Sequence, residues 1–229
     1  MSKFRKNMKA TMVVLSAALL GVSFGGGGKA WADDLVSSGE GGTAMYAGAR
    51  VGVHIPTSEF STRARLAAGF WADLPFAQME EGGGPFTGLA LSWWELAGDG
   101  DIASAQLPGG SEPYRVSGRV VYPSWELGYR FPKVAEHVVP WAVVGLGAGN
   151  YKMNVRTFDT VDTASGTAFG VDAQLGVDIP FDFGGAVQVI FGHTYVPGST
   201  PEPAAVLDGA NLGGLFVGLG YTHRLSGND

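Results

Sequence analysis

A period of two governs what this chain can become. Eight stretches alternate apolar with small or polar residues: 44–55, 62–72, 86–96, 114–131, 138–153, 167–179, 186–196 and 212–225. The first sets Met45, Ala47, Ala49, Val51, Val53 and Ile55 against Tyr46, Gly48, Arg50, Gly52 and His54. Successive side chains of a strand point to opposite faces, so the alternation predicts strands with one apolar face each. A 3.6-residue period is missing, and no apolar run after the first 32 residues reaches the roughly 20 that a spanning helix needs.

The N-terminus says where such strands are used. Lys3, Arg5, Lys6 and Lys9 precede an apolar-to-small run over 10–24, and Ala30-Trp31-Ala32 gives way to Asp33-Asp34. A basic start, a short apolar core and a small-x-small site read as a secretory signal peptide cleaved after Ala32. The expected organisation is a signal peptide over 1–32, a short flexible segment over 33–43, a barrel over 44–225 and a tail over 226–229. Five of the 15 Lys and Arg lie in that leader and none of the 21 Asp and Glu do, which leaves ten against 21 and a formal charge of −11. So acidic a surface, with no basic run after Lys29, argues against a nucleic-acid partner. With no cysteine there is neither a disulfide framework nor a thiolate site. The 37 glycines, about twice the usual share of roughly 7%, fall inside the alternating stretches, where a small barrel needs inward positions to stay small.

In an exported chain these strands predict an all-β, eight-stranded antiparallel up-and-down transmembrane β-barrel. A strand in hydrocarbon leaves no backbone group unpaired, so a sheet spans only when closed. Each stretch supplies the roughly 9 to 11 tilted residues that cross the core, and eight strands give the smallest class, its interior filled by side chains. With the N-terminus in the periplasm, the inner links are 73–85, 132–137 and 180–184, and the outer loops are 56–61, 97–113, 154–166 and 197–211. Mostly short inner turns and mostly longer outer loops are the expected asymmetry. Pro123 divides 114–131, whose halves carry apolar residues in opposite phase (Val116, Val120 and Tyr122, then Trp125, Leu127 and Tyr129), which predicts a bulge or phase shift there. A soluble periplasmic β-barrel is the competing fold.

Charges sort by the same parity. Arg50, Arg63, Arg65, Arg130 and Arg224 fall on the non-apolar face, as do Glu126, Asp172 and Asp178. An Arg or Lys facing lipid at the midplane costs about 2 to 4 kcal/mol, so these eight residues are the candidate lumen network, paired as an enclosed interior requires.

The terminal run Gly218-Leu219-Gly220-Tyr221-Thr222-His223-Arg224-Leu225 resembles the closing G-x-G-x-x-Y-x-F strand of the OmpA- and OmpX-like family of eight-stranded outer-membrane barrels, with His223 where an aromatic is usual and Leu225 in place of the last phenylalanine. The resemblance covers 44–225. It implies residence in the outer membrane of a Gram-negative bacterium, contact with outer-membrane lipid and lipopolysaccharide, and recognition of the closing strand by the outer-membrane assembly machinery.

Enzymatic chemistry has little to stand on. His193, with Ser199 and Glu202, is the one local set a lipid A-modifying hydrolase could use, and an interfacial histidine is the plainer reading. His54, His137 and His223 lack metal-ligand spacing. Asp99 and Asp101 lack the later ligands of a calcium loop and read as turn residues, like Glu80 and Glu81. No catalytic residue, metal or cofactor is expected. The expected function is a non-enzymatic outer-membrane barrel, structural, adhesin-like or interacting through its outer loops, whose ligand the loops do not name. A small pore for small or hydrophobic solutes is the alternative.

Overall fold

The computed structural model describes residues 45–58, 61, 63–76, 83–103, 111–135, 137–157, 161–181, 185–198 and 211–225. The expected signal peptide over 1–32, flexible segment over 33–43 and tail over 226–229 lie outside them. Eight strands follow in order: β1 (Met45–Pro56), β2 (Arg65–Pro75), β3 (Gly84–Ala103), β4 (Ser111–Arg130), β5 (Val139–Arg156), β6 (Val161–Pro180), β7 (Gly185–Tyr195) and β8 (Gly214–Leu225). Each pairs antiparallel with its neighbours, and β8 pairs back onto β1 from Met45↔Leu225 to Pro56↔Gly214, closing the barrel. The ring meets the backbone requirement that hydrocarbon imposes.

The fold corrects the sequence reading in two places. Much of the expected outer loops 97–113 and 154–166 is strand: β3 and β4 pair up to Ala103↔Ser111, and β5 and β6 up to Arg156↔Val161. Asp99 and Asp101 are accordingly strand residues and not turn residues. Pro123 makes no phase shift. The β3–β4 register runs unbroken through Leu91↔Pro123, and Val116, Val120, Tyr122, Ser124, Glu126 and Arg130 all face inward.

What changes along β4 is the solvent on each side. Below Pro123 the outward residues are apolar (Trp125, Leu127 and Tyr129) and the inward ones polar; above it Arg115, Ser117 and Arg119 face out while Val116 and Val120 are buried inside. Neighbouring strands switch in the same register rows. Leu91 on β3 and Phe169 on β6 are exposed and apolar, whereas Glu95, Arg119, Lys152 and Ser165 occupy one outward row two residues higher than Trp93, Val121, Asn150 and Thr167. The lower part is therefore built for lipid outside and a polar lumen. The upper part is built like a water-soluble sheet, polar outside with an apolar core that includes Trp94, Leu96, Tyr122, Met153 and Leu212. At the inner end, Tyr129 and Phe131 meet edge to face at 5.1 Å, and Tyr221 stacks near His223 at 6.4 Å, aromatic groups of the kind that gather at a membrane interface.

Candidate functional site

Inside the lower barrel, five of the eight predicted residues come together. Arg130, on β4, donates from Nη2 to Asp73 Oδ2 at 3.0 Å, with Nε 3.7 Å from Asp178 Oδ2. Its guanidinium lies over Phe86 at 4.5 Å and Tyr46 at 4.9 Å. Asp178 also accepts from Trp141 Nε1 and Gln188 Nε2, each at 2.7 Å. Asp73 and Asp178 are buried, at 3% and 0% exposure. A charge so enclosed persists only when it is paired and hydrogen-bonded, and this cluster supplies both.

A second cluster sits above it around Arg50 on β1. Its guanidinium donates to Gln174 Oε1 and, at 2.7 Å, to Ser92 Oγ, with the Phe216 ring 5.6 Å away and Trp71 at 6.0 Å. Gln174 passes the connection on, donating to Asp172 Oδ2 at 2.8 Å and Glu126 Oε1 at 3.2 Å. The two guanidiniums thus face four carboxylates, Asp73, Glu126, Asp172 and Asp178.

Three predicted members stand elsewhere. Arg63 precedes β2 and pairs with Asp99 at 2.5 Å on the exposed outer surface, because strand parity means nothing outside the ladder. Arg65 is half-buried opposite His54 at the outer mouth, and Arg224 is half-buried opposite Tyr46 at the inner end. Sequence reasoning misses Asp73, which falls in the expected inner link 73–85 although it keeps the inward phase of Trp71. It also misses Gln174, Gln188 and Trp141. The glutamines lie on the correct face and need only to be weighed as hydrogen-bond partners.

Close packing reinforces the cluster. A Cβ on Gly176 would lie 2.3 Å from the Trp141 ring and 2.8 Å from the Val189 carbonyl oxygen, so only glycine leaves room for the indole that donates to Asp178. Gly176→Val is expected to cost about 2 to 3 kcal/mol, by overpacking and loss of that hydrogen bond. Urea unfolding of the barrel in lipid vesicles measures it, and unchanged stability would contradict this packing.

Arg50 and Gln174 border two small cavities of the lumen. The lower, about 20 Å³, is lined by Trp71, Phe86 and Trp141 among others; the upper, about 30 Å³, by His54, Trp94 and Phe216 among others. Each has room for about one water. Above them Trp94 stacks on His54 at 5.2 Å and donates from Nε1 to the Leu212 carbonyl at 2.9 Å.

The remaining candidates stay apart. His193 is exposed on the outward face of β7 opposite Leu215, and Ser199 and Glu202 lie outside the described residues, as do Glu80 and Glu81. His54 is inside, His137 follows β4 in a turn, and His223 faces outward on β8.

No family model matches the chain, and no curated protein does. Among solved structures it is similar to a major outer membrane protein from Thermus thermophilus, at 12% identity and a TM-score of 0.54 over 80% of this chain and 100% of that one. Neisserial surface protein A matches at 10% identity and a TM-score of 0.45, covering 79% of this chain and 97% of that one. The N-terminal β-barrel domain of Pseudomonas aeruginosa OprF matches at 13% and 0.42, covering 81% and 100%. At 12% identity the likeness to the Thermus protein is one of fold, and with the closed ring of eight strands the chain has the fold of a small eight-stranded outer-membrane β-barrel.

Proposed function

We propose that the protein is an integral outer-membrane barrel, exported by a cleaved signal peptide and handed to the outer-membrane assembly machinery in the manner of OmpA- and OmpX-like proteins. Its role is non-enzymatic and is carried by its outer hairpins as a structural, adhesin-like or surface-interaction platform. The observation behind this reading is the inversion along β3 to β6, lipid-compatible below and water-compatible above, which raises a wall of paired strands beyond the bilayer. The lumen speaks against the pore reading. Arg50 is held across it by partners on β3 and β6, between cavities no larger than a water or so.

Cell fractionation combined with heat-modifiable gel migration tests the membrane assignment. The expected result is detergent-dependent extraction and a shift on boiling; extraction without detergent and no shift would refute it. Purified barrel in planar bilayers is expected to show no steady single-channel conductance. A substitution separates lipid from water as the outer solvent. Leu175 is outward and exposed near the middle of the apolar stretch of β6, and Leu175→Arg is expected to cost about 2 to 4 kcal/mol of unfolding free energy in vesicles. Ala97→Arg, outward on the upper wall between Glu95 and Asp99, is expected to change little. Equal effects of the two would count against a bilayer around the lower band.

A further inference from the structure

The outer wall carries an arrangement that the fold alone does not call for. In the β4–β5 register Arg115 stands opposite Arg156, and Arg119 opposite Lys152. All four are exposed and outward-facing, and none has an ion pair within 4 Å among the described residues. Like charges directly opposite each other destabilise a sheet. Two such pairs leave a local excess of positive charge on a chain whose formal charge after residue 32 is −11. On the β3 side the block meets Glu95, Asp99, which is held by Arg63, and Asp101, which shares an open cleft with Arg115 and Arg156. On the β6 side it meets only Ser165 and Val161, so its uncompensated flank faces β6.

Beneath that flank lies an apolar groove. Leu146, Ala148, Phe169, Val171 and Tyr195, on β5, β6 and β7, line an open trough of about 620 Å³, and Phe169 is 88% exposed. Asn150 and Thr167, hydrogen-bonded at 2.7 Å, separate the trough from the cations. Lys152 is four residues above Ala148, roughly 13 Å at the rise of a strand, and its flexible stem lets the ammonium reach down toward the apolar boundary. Acyl groove below, uncharged polar row between and cation block above follow the order of groups in an amphiphile with a phosphorylated head.

We propose that this wall seats one molecule of the phosphorylated glycolipid of the outer leaflet, with an acyl chain in the Phe169–Tyr195 trough and its phosphates on Arg115, Arg119, Lys152 and Arg156. The proposal rests on the membrane reading above and gives it a specific lipid contact. Charge complementarity and the position of the block just beyond the lipid-facing band select this occupant over an uncharged lipid or a soluble acidic protein.

The test uses full-length protein purified in detergent, with retained lipid read by native mass spectrometry after incubation with diphosphoryl lipid A or with phosphatidylglycerol. The expected result is one diphosphoryl lipid A per barrel, preferred over phosphatidylglycerol and not displaced by inorganic phosphate. A variant carrying Arg115→Gln, Arg119→Gln, Lys152→Gln and Arg156→Gln is expected to bind it at least about a hundredfold more weakly, since four favourable charge contacts to the headgroup are lost at once. Lys133→Gln, on the opposite rim, is expected to leave binding unchanged. Equal binding by wild type and the fourfold variant, equal retention of phosphatidylglycerol, or displacement by inorganic phosphate would each overturn the proposal. If the fourfold variant loses its heat-modifiable migration, the lipid preference and phosphate competition of wild type decide the matter. Failure of the membrane reading shows separately, as wild-type protein that needs no detergent.

Discussion

Arg130→Met is expected to lower the unfolding free energy of the barrel in lipid by about 3 to 5 kcal/mol, the range for breaking a buried ion pair by removing one partner. The reason lies less in the lost attraction than in what is left behind. Asp73 and Asp178 are almost wholly enclosed, and Arg130 is the cation that meets both. The methionine fills much of the volume and keeps contact with Phe86 and Tyr46, so the loss reports charge rather than a cavity. Adding Asp73→Asn to Arg130→Met is expected to restore part of the stability, because one carboxylate without a partner becomes neutral. Urea titration followed by tryptophan fluorescence measures both, and a double variant no more stable than the single one would refute the charge argument.

Trp94→Ala is expected to cost about as much, roughly 3 to 5 kcal/mol, for the opposite reason. Trp94 is 3% exposed in the apolar upper lumen, stacked on His54 and tilted against Tyr122 at 6.1 Å, and its indole N–H reaches across to Leu212. Truncation leaves a cavity that rigid strands on every side cannot collapse to fill. Trp94→Phe keeps most of the packing and loses the hydrogen bond, so about 1 kcal/mol is expected for that variant beyond any change in fit. The same unfolding assay separates the two. Similar losses for Ala and Phe would mean that the hydrogen bond, and not the packing, dominates.

The alternation of the eight stretches was enough to find every strand, because a bilayer outside and a crowded lumen inside impose opposite preferences on adjacent residues. The reading failed where that contrast reverses. Residues 161–166 put Val161, Thr163 and Ser165 outward and Asp162, Ala164 and Gly166 inward, a pattern that looks like loop when lipid is assumed outside. The break at Pro123 arose in the same way: Val116 and Tyr122 seemed out of phase with Trp125 only because apolar was equated with outward. Within the network, charge parity located Arg50, Glu126, Arg130, Asp172 and Asp178. It misplaced Arg63, which lies before its strand begins, and overlooked Asp73 because β2 runs on to Pro75. Neutral members such as Gln174 leave little trace in a sequence, since their role depends on which strands the register brings across the lumen.

The seam between β1 and β8 has a consequence for the order of events in folding. Each other ladder joins strands that are consecutive in the chain, so its closure is nearly local, while the seam joins the first strand to the last and pays the loop entropy of the whole barrel. It is lined on the inside by Gly48, Gly52, Gly218 and Gly220, where added Cβ atoms would meet ring or backbone atoms closely. A slip of one residue would turn Arg50 outward to the lipid and strip Gln174 and Ser92 of their donor. Closure in the correct register is therefore also the step that commits Arg50 to the interior, and the lumen network acts as a checkpoint on the last ladder to form.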